Sequence, residues 1–155
     1  MFDRPTVVIM SGLPGSGKSY YSLYLMRNNL DSICVSSDYY MIDSNGNYKF
    51  NPTMLGECHG KCFRSYIRNI NEVIDTIIVD NCGSKLHNVS PYILAAQAYD
   101  YDHLIVCCNA SVETCLARKT HNVPEHTIRN MEKNLYEMYA KLPMGWKVKH
   151  INTDR

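Results

Sequence analysis

Eight consecutive residues, Gly12-Leu13-Pro14-Gly15-Ser16-Gly17-Lys18-Ser19, hold three glycines, a lysine and two serines. Gly-x-x-x-x-Gly-Lys-Ser is the spacing of a phosphate-binding loop. The phosphate tail of a nucleotide needs donors from several directions. Backbone N–H groups can surround it only where side chains do not obstruct them, which is the use expected for Gly12, Gly15 and Gly17. A helix starting at the end of the loop would aim its first amides and its positive dipole end at the same anions. Lys18 is then expected to reach the β- and γ-phosphates of ATP, and Ser19 to ligate Mg²⁺.

Moving a phosphate requires more than holding it. Asp38, in VSSDYY, follows a short apolar run. A carboxylate there can accept the proton of an attacking hydroxyl and orient it towards the γ-phosphate. Asp80 closes the run IIVD, where a carboxylate would hold the water shell of a metal. Arg118, Lys119 and His121 crowd the segment before Pro124. They make a lid over about residues 118–124, in which Arg118 would neutralise charge on the transferring phosphate; one such donor is worth roughly 3 kcal/mol. Each residue also has a plainer use, Asp38 and Asp80 as loop caps and the cations as a solvated helix end.

The elements that must position these residues can be read from apolar periodicity. TVVIMSG (6–12), SICVSS (32–37), DTIIVDNCG (75–83) and HLIVCC (103–108) read as buried strands, with WKVKHI (146–151) as a fifth. Helices are expected after Lys18, with Tyr21, Leu25 and Tyr24 along one stripe, and over 53–72. Others are expected from Ser90-Pro91 to about Tyr99, through Leu116, and from Pro124 to about Lys141. Asn45-Gly46 marks a turn. Strands apolar on both faces and alternating with helices predict an α/β fold with a four- to five-stranded parallel sheet between helical layers.

The 155 residues show no linker and are expected to form one domain, 1–155. The net charge of +1 argues against a general nucleic-acid coat, so any polynucleotide contact should be local. MFDRPTVVIM is too short in apolar residues for a secretory leader, no stretch approaches a membrane span, and the seven cysteines are odd in number. Free thiols in a reducing cytoplasm or nucleus, without a membrane partner, are the expectation. Cys58, His59 and Cys62 share a helix face but are too few for a tetrahedral zinc site.

The stretches GLPGSGKS (12–19), SSD (36–38), GNYKFNP (46–52), IIVDN (77–81), SPY (90–92) and LARKTHNVPEHTIRNMEKN (116–134) occur in this order along most of the chain. With them the chain resembles the P-loop polynucleotide 5′-hydroxyl kinase family, most closely its Nedd-four-binding-protein-like branch. The resemblance implies a P-loop kinase three-layer sandwich with a short helical lid. It also implies transfer of the γ-phosphate of ATP, with Mg²⁺, to a 5′-hydroxyl of DNA or RNA. Lys18 and Ser19 would hold ATP and metal, Asp38 would be the general base and Arg118 the lid residue.

The sequence departs from that pattern in places. Met41 stands where phage-type members carry an arginine that grips the acceptor phosphate, Cys82-Gly83 stands where Thr-Asn is usual, and the lid is shorter with fewer arginines. Arg64 and Arg68, four apart on one helix face, could contact acceptor phosphates instead or simply form an exposed basic face. Tyr39 and Tyr40 could stack a base or simply pack. Two further readings stay open: a kinase of a small molecule such as a nucleoside or sugar, and an ATP-binding interaction module without turnover.

Overall fold

The apolar runs become β1 (Thr6–Ser11), β2 (Ser32–Val35), β3 (Thr76–Val79), β4 (Asp102–Asn109) and β5 (Val148–Asn152). In a computed structural model of the chain, which describes residues 2–118 and 120–154, they form one sheet in the order β2-β3-β1-β4-β5. Every pairing is parallel. The central position of β1 and β3 explains their sequences: each is buried along its whole length, so both faces must be apolar. β5 lies at an edge, with Val148 and Ile151 partly buried and its other residues exposed.

Among the described residues, five α-helices connect the strands: α1 (Lys18–Asn28), α2 (Leu55–Asn71), α3 (Leu86–Ala98), α4 (Val112–Ala117) and α5 (Glu125–Tyr139). Their layers follow from handedness. The β1-to-β2 connection runs along the sheet in one direction; those from β2 to β3, β3 to β4 and β4 to β5 run in the other. Right-handed crossovers then place α1 on one face and the later helices on the opposite one. The core divides accordingly. Val7, Ile9, Ile77, Val79, Ile105 and Cys107 pack with residues of α2, α3 and α5. Val8, Met10, Ile78, Val106 and Cys108 pack with Leu25 of α1. The registers Val7↔Ile77 and Val8↔Ile78 keep each set on its own side.

Some boundaries differ from expectation for identifiable reasons. β2 ends at Val35 because Ser36 caps a 3₁₀ turn over Ser37–Tyr40. α3 begins at Leu86, four residues before Ser90, and carries Pro91 in its interior. Pro91 and His87 are exposed, so water can serve the carbonyl that the proline leaves unpaired. The stripe that α1 buries is Lys18, Ser22 and Leu25, with Tyr24 turned outward. The helix therefore spends its inner face partly on phosphate-loop polar groups. All seven cysteines are free thiols. No helix among the described residues is long and apolar enough to cross a membrane.

Candidate active site

Residues 12–17 turn from the carboxyl end of β1 into α1, whose first residue is Lys18. Gly17 caps the helix in the left-handed region, φ 90°. The other two glycines are required by close approach. A β-carbon on Gly12 would lie 2.7 Å from the Cys108 carbonyl oxygen, and one on Gly15 would lie 2.8 Å from that of Cys115. The loop is thus pressed against the end of β4 and against α4. The Gly12 N–H donates to the Cys82 carbonyl (3.0 Å), and Ser11 Oγ donates to that of Gly83 (2.9 Å). A β-carbon on Gly83 would come 2.9 Å from the Met10 carbonyl oxygen. Cys82-Gly83, a departure from the family pattern, braces the root of the loop.

The loop has the polar groups an anion would use. Lys18 Nζ donates to the carbonyls of Gly12 (3.1 Å) and Leu13 (2.8 Å), folding back over the turn. Ser16 Oγ is buried with no hydrogen-bond partner among the described residues. Asp80 follows β3, its N–H donating to the Val35 carbonyl (2.9 Å). Burial pushes its carboxyl above the usual range; hydrogen bonding from Ser19 and Ser22 and the charge of Lys18 oppose this, while the charge of Asp38 adds to it. A hydroxyl, a buried carboxylate and an ammonium in mutual reach fit a nucleotide with its divalent cation, hard oxygen donors being what Mg²⁺ takes.

Asp38 sits on the 3₁₀ turn beyond β2. Its N–H donates to Ser36 Oγ (3.2 Å). Ser37 donates through both its N–H and its hydroxyl to Asn81 Oδ1 (2.9 Å each). Asn81, directly after Asp80, thereby ties this turn to the end of β3. Sequence reasoning gave it no role, although it closes the quoted stretch IIVDN. The Asp38 side chain is 52% exposed, and His121 Nε2 stands 3.9 Å from its Oδ2. His59 of α2 also feels this carboxylate: burial lowers the His59 value and the Asp38 charge opposes it.

Arg118 occupies a different side of the loop. Its guanidinium donates to the carbonyls of Gly15 (2.8 Å) and Thr153 (2.6 Å), linking the phosphate loop to the chain beyond β5. The expected lid segment makes a short turn over Thr120–Asn122, broken by non-helical backbone at His121 (φ 57°); Lys119 lies outside the described residues. Arg64 and Arg68 are exposed on α2, whose inner stripe is Cys58, Cys62, Tyr66 and Ile70. Arg64 acts electrostatically on Glu57 and Lys61. Met41 is buried, with the Asn51 N–H at 3.3 Å from its Sδ.

A parallel sheet of this order, with a glycine turn, a lysine and carboxylates gathered at adjoining strand ends, defines a P-loop kinase-like α/β fold. The family model described as an AAA domain matches residues 7–138, and the chain belongs to that family. It is 28% identical to human NEDD4-binding protein 2 over 142 residues, 89% of this chain and 8% of that protein. A chain of the Pnkp1/Rnl/Hen1 RNA repair complex shares the fold with a TM-score of 0.75 and 20% identity, over 92% of this chain and 48% of that one. The APS kinase CysC of Mycobacterium tuberculosis, in complex with AMPPNP and APS, shares it with a TM-score of 0.62 and 16% identity, over 98% and 90%. The chain therefore spans a small part of the human relative and about half of the RNA repair chain.

Proposed function

We propose that the chain is a kinase domain that transfers the γ-phosphate of ATP to a 5′-hydroxyl at the end of DNA or RNA, with Asp38 as general base. The observation that carries the reading is the Asp38 carboxylate. It is open to solvent on a turn braced by Ser36 and Asn81, at the same carboxyl end of the sheet as Lys18, Ser19 and Asp80. In the reaction, the acceptor oxygen forms a bond to the γ-phosphorus as the bond to the bridging oxygen of ADP breaks. The acceptor proton passes to Asp38. The amides of Gly15, Gly17, Lys18 and Ser19 and the Lys18 ammonium hold the donor phosphates, and Arg118 is the lid cation on the donor side. Ser19, with Asp80 through water, would hold Mg²⁺, which when bound supplies positive charge to the phosphates.

A polynucleotide end as acceptor is supported by the motif order and by the likeness to human NEDD4-binding protein 2 and to the RNA repair complex. A small acceptor is the second reading. It is favoured by Met41, which is buried and uncharged where an acceptor phosphate would need a cation.

The test is transfer of labelled γ-phosphate from Mg·ATP to 5′-hydroxyl oligonucleotides of DNA and RNA, with a free nucleoside alongside. Wild type should label an oligonucleotide. Asp38→Asn should lose about a hundredfold or more of the rate, the usual scale for removing a general base, with ATP binding intact. Preference for the nucleoside would replace this reading with the second. No transfer to either, with ATP still bound, would leave a binding module.

A further inference from the structure

The lid and the loop after Asp38 meet at a contact that the phosphate-loop motif does not explain. Residues 41–49 form a small hairpin: Ile42 bridges Tyr48, the Lys49 N–H donates to the Met41 carbonyl (2.9 Å), and Asp43 Oδ1 accepts from the Asn45 (2.9 Å) and Asn47 (3.0 Å) amides. Met41 roots this hairpin in the core. The hairpin presents Tyr48 to the lid, where its ring lies against His121, centroids 4.0 Å apart and planes inclined by 35°. From that stack His121 Nε2 stands 3.9 Å from Asp38 Oδ2. His121 and Asn122 both hold left-handed backbone, φ 57° and 50°, a conformation that a β-carbon disfavours and that persists where surrounding contacts impose it.

Three residues before His121, Arg118 is fastened to Gly15 and Thr153. The short lid is therefore attached at both ends of the reaction centre, to the phosphate loop through Arg118 and beside the base through His121. We propose that His121 is a positioning residue, seated by Tyr48, that holds the Asp38 carboxylate in place and so couples the base to the donor side through the lid. This rests on the phosphotransfer reading above. It gives the brevity of the lid a purpose, since a longer segment would connect the two sides loosely. His59, whose imidazole also feels the Asp38 charge, belongs to α2 rather than to the lid.

Two substitutions separate positioning from packing. His121→Gln keeps a polar group near the place of Nε2, which stands at ion-pair rather than hydrogen-bond distance from Asp38, whereas His121→Phe keeps the ring on Tyr48 and removes every polar atom. With 5′-hydroxyl oligonucleotide and Mg·ATP, His121→Phe should lower kcat about tenfold or more, as misplacement of a reacting group does, with KM for ATP unchanged. His121→Gln should recover most of the loss. Equal losses in the two variants, or full kcat in His121→Phe, would overturn the proposal. Amide hydrogen exchange over residues 116–124 provides a readout independent of the acceptor. It should accelerate in Tyr48→Ala and in Asp38→Ala; unchanged exchange would overturn the strap. If wild type labels no oligonucleotide, the functional reading fails on that result while the exchange result still decides the inference.

Discussion

At the scale of single residues, three glycines that look equivalent in the phosphate loop are held to different standards. Gly12 and Gly15 sit where an added methyl group would press on carbonyl oxygens of β4 and α4, at 2.7 and 2.8 Å. At Gly17 the nearest atoms to such a methyl are 3.7 Å away, so only its left-handed φ resists substitution. Overpacking costs about 1–3 kcal/mol, and left-handed backbone costs a non-glycine residue about 1–2 kcal/mol. At Gly12 and Gly15, where φ is also positive, the two costs combine. Thermal unfolding should therefore rank Gly12→Ala and Gly15→Ala as clearly more damaging than Gly17→Ala. In the interior of α2, Gly60 has as its nearest neighbour only the flexible end of Arg64, at 3.4 Å. Gly60→Ala should raise stability by about 0.5–1 kcal/mol, the helix penalty of glycine. A midpoint in Gly12→Ala equal to that of Gly17→Ala would contradict the packing account. The motif was legible in the sequence because its spacing is short-range. The division of labour among its glycines was not, because the atoms that impose it belong to β4 and α4, nearly a hundred residues away.

At the scale of elements, the unit that matters is the 3₁₀ turn over Ser37–Tyr40 and its brace to the end of β3. Sequence periodicity located β1, β3 and β4 because their burial on both faces demands continuous apolar runs. It overran the end of β2, where the Ser36 side chain caps the following turn by accepting from the Asp38 N–H. It also could not pair Ser37 with Asn81, since that contact exists only once β2 and β3 lie side by side with Val35 beside Val79. The contact between Tyr48 and His121 was hidden for the same reason, one residue lying in a hairpin and the other in the lid. The brace makes a specific demand. Asn81 Oδ1 accepts two hydrogen bonds from Ser37, so Asn81→Ala leaves a backbone N–H and a hydroxyl without that partner. The turn that carries Asp38 should loosen while the phosphate loop stays intact. Steady-state kinetics should show kcat reduced about tenfold, the rate equivalent of roughly 1.4 kcal/mol, with KM for ATP little changed. A rise in KM for ATP with kcat preserved would assign Asn81 to the donor site instead.

At the scale of the whole molecule, the carboxyl end of the sheet holds charge that the fold alone does not favour. The Asp80 carboxyl is raised chiefly by burial, with the nearby Asp38 charge adding to it, and the bonds from Ser19 and Ser22 and the Lys18 charge only partly offset this. A carboxyl whose folded value lies above its unfolded one binds its proton more tightly in the folded chain. Its contribution to stability is therefore greatest at low pH and is lost as pH rises from the unfolded value, near 3.8, through the folded one. Asp80→Asn removes that loss while keeping an oxygen acceptor for Ser19. Without nucleotide, the variant should be the more stable protein near neutral pH by a few degrees in thermal midpoint, and its advantage should shrink as the pH is lowered towards 4. Ligand binding should reverse the order. A ligand at a hundred times its dissociation constant stabilises by about 2.7 kcal/mol, and Mg·ATP should raise the midpoint of the wild type well beyond that of Asp80→Asn, because only the wild type offers the carboxylate to the cation's water shell. Equal shifts with Mg·ATP would place Asp80 outside the metal site. A variant less stable than wild type at neutral pH would mean that Ser19, Ser22 and Lys18 outweigh burial, so that the carboxylate holds the phosphate loop together before any nucleotide arrives.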